Sequence, residues 1–517
     1  MRAGSWSAPT WKVVPIRHTP ARPSPAVPAA AWGPLLVLAS AVAAVLLALS
    51  ARYGYHRDEL YFLASGRHLA WGYPDQPPLT PLLARLASAA AGDSLVALRA
   101  PSAVAAFLVV LLTGLLAREL GGGRAAQVLA AGCMAASPVL LVETHLLSTS
   151  TFDLLVWTAL TLLVVRVLRT GQQRLWLLAG LLAGVGLLNK TLVVFLLAGI
   201  AAGLALGGPR AVLRSRWLCG GAVIALLLWA PNLAWQAQHG WPQLAISRSI
   251  AAGGSGTSAS RWMILPFQLV LVGPALVPVW AAGLLRLFRD PALRWARCLA
   301  WAYVLLLAVF LTTGGKPYYL SGLYPALLAA GAAPVTDWAA RQAGRARALG
   351  VTVAGSAAIA AVLMLPVLPV RWLQHTPVTA INYDAGETIG WPRFAATLAL
   401  AYRALPQADR RRAVILTRNY GEAGAADRYG PGLGLPAVYS GHNAYAEWGP
   451  PPAGSGPVLA VGINPQQLRR LFDSVHAVDR IDNREHIDND EQGRTVWLCR
   501  GQRSSWADTW PQLRRLG

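Results

Sequence analysis

Chemistry in this chain has few carriers. The first 370 residues hold only nine carboxylates: Asp58, Glu59, Asp75, Asp93, Glu119, Glu143, Asp153, Asp290 and Asp337. Six of them, Asp58 to Asp93 together with Glu143 and Asp153, sit at the ends of apolar runs or in the one long segment between the first two runs. A carboxylate at such a boundary is costly unless it is paired, hydrated or metal-bound, and carboxylates so placed serve as proton acceptors or metal ligands. Pairing with Arg52, Arg57 or Arg67 is the alternative for the acids of that segment. Lysine is rarer still. Of 45 basic residues only Lys12, Lys190 and Lys316 are lysines, and the last two fall at the ends of apolar runs.

These residues are set in a hydrophobic chain. Of 517 residues, 55% are hydrophobic and 13% charged, with a mean hydropathy of +0.43. A soluble domain carries about 25% charged residues, so a soluble enzyme throughout is excluded, and so is a disordered chain. The composition is that of a polytopic α-helical membrane protein. Heavy use of Arg, Ala and Gly suggests a high-GC, bacterial genome. Four cysteines, Cys133, Cys219, Cys298 and Cys499, form no disulfide framework or metal-binding spacing.

Eleven apolar runs are read as spans: 31–51, 97–117, 125–142, 150–168, 175–189, 191–207, 217–234, 263–285, 298–313, 319–335 and 349–370. The first is long enough to cross about 30 Å of hydrocarbon. It is read as an uncleaved signal anchor behind a disordered, basic cytoplasmic tail at 1–30. With that tail inside, cytoplasmic segments carry 19 Lys and Arg and outer segments 8, the bias expected of a plasma-membrane protein. An odd number of spans puts 371–517 outside. The net charge of +22 is concentrated in short loops, which points to topology and not to nucleic acid.

The outer segment 52–95 is too aromatic and too patterned for a connector. Residues 59–70 and 78–91 read as amphipathic helices on the interface, with Trp71 and Tyr73 at headgroup depth and an Asp-Gln-Pro-Pro turn at 75–78. Such a loop would hold Asp58 and Asp75 rigidly at the membrane surface. The tail 371–517 differs in composition. Turn clusters, strand-like runs at 413–417, 458–461 and 495–499, and an amphipathic helix over 466–475 predict a small extracytoplasmic α/β domain. Its Tyr420, Tyr429, Tyr439, Tyr445 and Trp448 suit either a core or sugar stacking.

At these residues the sequence resembles the GT-C membrane glycosyltransferases, and more narrowly glycosyltransferase family 39, which includes protein O-mannosyltransferases and lipid A aminoarabinose transferases. The resemblance is carried by Asp58-Glu59, by Asp75-Gln76-Pro77-Pro78, and by Ser150-Thr151-Phe152-Asp153. Leu188-Asn189-Lys190 and Gly315-Lys316-Pro317-Tyr318-Tyr319 through Tyr324-Pro325 complete it. The motifs span residues 30–340, so the catalytic domain is placed at 31–370 and the tail lies outside the resemblance. Gln76 stands where the family has a lysine.

The resemblance implies inverting transfer of a sugar from a polyprenyl-phosphate donor to an acceptor hydroxyl on protein, lipid or cell-wall glycan. Asp58 would be the general base, with Glu59 and Asp153 beside it in the catalytic set. Lys190, Lys316 and Arg261 would hold the donor phosphate. Asp75, Asp153 and His239 are the residues for a divalent metal, Mg²⁺ or Mn²⁺ on oxygen ligands and Zn²⁺ if the histidine joins. Two other readings are a secondary transporter and a membrane anchor for an outer interaction domain. The first needs midplane charges and related halves, which the sequence lacks. The second leaves the patterned loop unexplained.

Overall fold

The computed structural model describes residues 27–253 and 260–517. The expected disordered tail falls, except for its last few residues, outside the described part of the chain.

In chain order, α1 (Trp32–Leu49) leads into two helices of the long loop, α2 (Arg57–Arg67) and α3 (Leu79–Ala91). Then come α4 (Leu95–Glu119), α5 (Arg124–Ala135), α6 (Pro138–Thr144), α7 (Thr149–Thr170), α8 (Leu175–Leu187) and α9 (Val193–Gly207). The bundle continues with α10 (Arg216–Gln238), α11 (Pro242–Ala251), α12 (Ile264–Val272), α13 (Val277–Arg289), α14 (Cys298–Thr313), α15 (Tyr324–Ala340) and α16 (Ala343–Met364). Every apolar run is helical. Among the described residues, α1, α4, α7, α10 and α16 are long and apolar enough to cross a membrane, and the count is seven if each of two bent pairs is one span.

The bends have local causes. α5 and α6 meet at 56°, and the segments on either side of Gly273 meet at 80°. Pro138 and Pro274 open the second member of each pair, where a missing N–H costs nothing, and Gly273 turns the chain at φ +99°. The helices α8, α9, α14 and α15 have 13, 15, 16 and 17 residues, shorter than the ~20 that span hydrocarbon unaided. Close backbone packing holds them in the bundle. A Cβ on Gly180 of α8 would lie 2.1 Å from the Gly221 carbonyl of α10, and one on Gly283 of α13 would lie 1.8 Å from the Leu327 carbonyl of α15. Small residues at such crossings let dispersion contacts replace the hydrophobic drive that lipid removes.

The C-terminal part contains a five-stranded sheet in the order β2-β1-β3-β5-β4. Its strands are β1 (Val414–Thr417), β2 (Val438–Ser440), β3 (Val458–Val461), β4 (Phe472–Arg480) and β5 (Thr495–Gln502). The first three are parallel and the last two antiparallel. Alternation sorts the strands' side chains onto two faces. Ile415, Leu459 and Val461 face helices Trp391–Arg403 and Tyr420–Tyr429 and the loop helix α2. Val414, Leu416 and Ala460 face Leu468, Trp506 and Trp510. The three strand-like runs are strands as expected. The amphipathic helix expected over 466–475 is shorter, Pro465–Leu471, because Phe472 starts β4. Phe472–Arg480 instead pairs antiparallel with β5, from Phe472 opposite Gln502 to Arg480 opposite Thr495.

The loop helices form close to their expected limits, but Tyr73 is not an interfacial anchor. It is 2% exposed, and its hydroxyl donates to the Ser65 carbonyl at 3.0 Å and the His68 carbonyl at 3.1 Å. Trp71, 59% exposed, remains free to meet lipid.

Candidate active site

Asp58 stands in the first turn of α2, where His56 caps the helix. The His56 ring accepts from the Asp58 N–H at 3.2 Å, and the helix start favours a negative charge. Its carboxylate, 38% exposed, opens on a cavity of about 430 Å³ at the end of the bundle that carries the long loop. One oxygen, Oδ1, accepts the Tyr420 hydroxyl at 2.8 Å and lies 3.8 Å from Arg57 Nε. Among the described residues, nothing hydrogen-bonds the other.

Tyr61, one turn further along α2, donates its hydroxyl to Asp75 Oδ1 at 2.7 Å, and Asn443 donates to Asp75 Oδ2 at 3.0 Å. Both Asp75 oxygens are thereby occupied. Burial nevertheless pushes this carboxyl up to about 6, against the lowering by the Tyr61 hydrogen bond. The Tyr61 and Tyr420 rings stack at 4.5 Å, and Tyr420 stacks on His442 at 4.8 Å. Loop and C-terminal domain thus share one aromatic stack beside the two acids.

The opposite wall comes from the bundle. α8 and α9 part at Asn189-Lys190, and this break is tied down. Leu79 N–H donates to the Leu188 carbonyl at 2.9 Å, Thr80 Oγ1 donates to Asn189 Oδ1 at 2.8 Å, and Asn189 Nδ2 donates to the Thr149 carbonyl at 2.7 Å. Lys190 is therefore fixed, with Nζ donating to Ser150 Oγ at 2.9 Å and lying 5.0 Å and 5.6 Å from the Tyr318 and Tyr319 ring centres. Lys316, from the turn after α14, lines the same cavity, and burial together with the Lys190 charge pulls its ammonium down to about 8.

Asp58, Asp75, Lys190 and Lys316 therefore converge on one cavity. The other expected residues do not. Glu59 is fully buried on the far side of α2. It accepts Arg99 Nε at 2.8 Å, Arg99 Nη2 at 2.7 Å, and the N–H groups of His56 and Leu147 at 2.9 Å each. It is a brace between α2, α4 and the approach to α7, placed away from the cavity because residues adjacent on a helix point in different directions. Asp153 is buried one turn below Ser150 and accepts the Trp157 indole N–H at 3.1 Å. It underlies the cavity without lining it. The Arg261 guanidinium is spent on the Thr312 carbonyl at 3.1 Å and on that of Ala251, outside the cavity.

The metal set does not assemble. Asp75 is held by Tyr61 and Asn443, Asp153 lies below, and His239 is stacked on Trp235 at 4.0 Å with Nδ1 2.8 Å from that residue's carbonyl. Among the described residues no three His, Cys, Asp or Glu side chains are grouped to hold an ion.

The sequence pointed to none of Arg418, His442, Asn443, Asp490, Arg494 and Arg515, which also line the cavity, and to Arg57 only as an ion-pair partner for the loop acids. Tyr61 was within reach, at i+3 from Asp58. In the sequence Tyr420 is one of several aromatics of the tail, with no local signal that sets it apart.

Residues 75–235 match the family model described as dolichyl-phosphate-mannose-protein mannosyltransferase. No curated protein sequence matches the chain. Among solved structures, ArnT from Cupriavidus metallidurans bound to undecaprenyl phosphate aligns with a TM-score of 0.59 and 16% identity, over 89% of this chain and 97% of that one. The same protein in the apo state gives 0.58 and 15%, over 91% and 98%. The fold is that of the GT-C membrane glycosyltransferases. The GT-C likeness runs well beyond residues 30–340, and so takes in the C-terminal sheet domain that the motifs left out. That domain supplies Tyr420 and Asn443 to the two acids.

Proposed function

We propose that this chain is an integral-membrane glycosyltransferase that moves a sugar from a polyprenyl-phosphate donor to an acceptor hydroxyl at the extracytoplasmic face, with inversion. The observation that carries the reading is the meeting of one incompletely bonded carboxylate, Asp58, with two lysines, Lys190 and Lys316, across a single cavity. The crystal complex of ArnT with undecaprenyl phosphate, a protein of the same fold, supports the lipid-phosphate donor.

The chemistry follows from the charges. The acceptor oxygen attacks the anomeric carbon while Asp58 takes its proton. The bond from that carbon to the phosphate oxygen breaks on the opposite face, and the electron pair leaves with the phosphate. Phosphate is a good leaving group and needs cations where its charge develops, which Lys190 and Lys316 provide. One displacement inverts the anomeric centre. Asp75 aligns Tyr61 and so the stacked Tyr420 that holds Asp58. The excess of basic residues on one set of loops, 19 against 8, supports a plasma-membrane protein with its N-terminus cytoplasmic and the cavity outside.

The test is to supply purified full-length protein with a panel of polyprenyl-phosphate sugars and with membrane acceptors of protein, lipid and glycan type. Transfer with the anomeric configuration opposite to that of the donor is expected. Retention of configuration, or the absence of transfer from every donor, overturns the reading.

A further inference from the structure

A second cavity, of about 500 Å³, lies in the C-terminal domain beside the first, and the two share Arg418, Arg515 and Gly517 in their walls. Its place in the sheet is informative. β1 has β2 on one side and β3 on the other, both parallel to it, so the chain leaves the carboxyl end of β1 toward one side and the carboxyl end of β3 toward the other. Parallel sheets bind ligands in the crevice that opens at such a switch point. Thr417-Arg418 at the carboxyl end of β1 and Ile463-Asn464 after β3 line this crevice here.

The crevice is cationic, and its two shared arginines lack an ion-pair partner. Arg418 and Arg515 have no carboxylate within 4.0 Å among the described residues, and no described group accepts a hydrogen bond from either guanidinium. The third arginine of the cavity, Arg514, is paired with Glu447. The buried Glu422, whose charge acts on Arg515 from beyond ion-pair distance, accepts the backbone N–H groups of Arg418 at 2.8 Å and Asn419 at 3.1 Å on its Oε2. Burial and the neighbouring Arg418 charge both disfavour the charged form of Arg515. Two guanidiniums held close without an anion are a site that an oxyanion completes, since each presents a planar donor fork to phosphate or carboxylate. The remaining wall is made of amides, Asn464, Gln467 and Gln512, which suit sugar hydroxyls better than an acyl chain.

We propose that the crevice between β1 and β3 binds an anionic group, a phosphate or a carboxylate, carried by the acceptor saccharide, and so delivers its hydroxyl to Asp58 in the adjoining cavity. This rests on the glycosyltransferase reading above for the word acceptor, but not for the binding of the anion. The donor phosphate is assigned to the lysines of the other cavity, so the two anions occupy adjoining cavities that share Arg418 and Arg515.

The binding arm uses purified full-length protein in detergent and three probes: glucose 6-phosphate, glucuronate and glucose. At least one anionic sugar binds and glucose does not. Comparison of the two anions decides between phosphate and carboxylate. In Arg418→Gln/Arg515→Gln the dissociation constant of the anionic sugar rises at least about tenfold, as expected for losing two charge-assisted contacts. Arg418→Lys/Arg515→Lys, which keeps the charge, retains binding, and this guards against a folding defect in the first variant. In Lys190→Met/Lys316→Met binding is unchanged. Undiminished binding in the glutamine variant, equal binding of glucose, or loss of binding in the lysine-to-methionine variant each overturns the proposal. The transfer arm measures acceptor and donor KM in the glutamine variant. A rise in acceptor KM with donor KM unchanged is expected, and an unchanged acceptor KM overturns the acceptor assignment. If the wild-type protein transfers no sugar at all, the glycosyltransferase reading fails while the binding arm still tests the crevice.

Discussion

Glu59 follows Asp58 directly in the sequence, yet the structure gives the two acids opposite surroundings, one buried and one open to the cavity, and substitution separates them. Glu59→Gln removes the charge from a side chain that is fully buried and accepts four hydrogen bonds, two of them from Arg99. Arg99, 3% exposed, would keep the Ser50 carbonyl at 2.6 Å and the Gly54 carbonyl at 2.7 Å but lose its buried counter-charge and one of its two acceptor oxygens on residue 59. Breaking a buried ion pair from one side costs about 3–5 kcal/mol, because the remaining charge stays buried and unpaired. At about 1.4 kcal/mol per factor of ten, the folded-to-unfolded ratio falls by roughly two to three and a half orders of magnitude. Asp58→Asn alters a side chain 38% open to the cavity with a single hydrogen-bond partner, and the expected loss is within about 1 kcal/mol. Thermal unfolding of the two variants in the same detergent should show a large fall for Glu59→Gln and almost none for Asp58→Asn. Removing both charges, as in Glu59→Gln/Arg99→Gln, should recover part of the loss. A Glu59→Gln protein that melts like the wild type but transfers no sugar would refute this reasoning and return Glu59 to the catalytic set.

Other expectations follow from the same geometry. Lys190→Met and Lys316→Met should each raise the donor KM by about 10- to 100-fold, the value of a charge-assisted contact to phosphate; a donor KM equal to that of the wild type for both variants would remove the lysines from the donor site. Because Lys316 is pulled down to about 8, its ammonium is lost as pH rises through that value. The donor KM should therefore climb above pH 8, and Lys316→Arg, which stays charged, should flatten the rise. An identical pH profile for the arginine variant would contradict the assignment. Asp75 titrates near 6 in the folded protein against an ordinary 3.8, so the native state binds its proton more tightly than the unfolded chain does. Stability should fall as pH rises between about 4 and 6, by at most about 3 kcal/mol, and level off above. Melting temperatures of Asp75→Asn should lack that component, and equal pH dependence in both proteins would count against it.

What the sequence disclosed, and what it withheld, follows the reach of local pattern. Apolar runs report helices residue by residue, so the helical units of the bundle and the two loop helices were legible. The bends at Pro138 and Gly273 were not, because hydropathy continues smoothly across a change of direction. Lys190 and Lys316 could be singled out because each is a rare residue type at the end of an apolar run, and Asp58 and Asp75 because they stand in the patterned segment between the first two runs. Glu59 could not be separated from Asp58, since only the helix fixes which of two adjacent acids faces inward. Arg261 and His239 share the position expected of site residues at a loop end, but their side chains close on nearby backbone carbonyls. Tyr420, Asn443 and Arg515 lie more than 360 residues from Asp58 in the chain, and no short-range spacing records that they share its cavity.

The central claim is that Asp58 takes the proton from the acceptor at this cavity. The most direct measurement is single-turnover sugar transfer by purified Asp58→Asn protein, with polyprenyl-phosphate-sugar binding determined on the same sample. The account predicts donor binding close to wild type and transfer slowed by about 10²- to 10⁴-fold, the contribution of a positioned general base. Transfer at the wild-type rate with intact donor binding would contradict it.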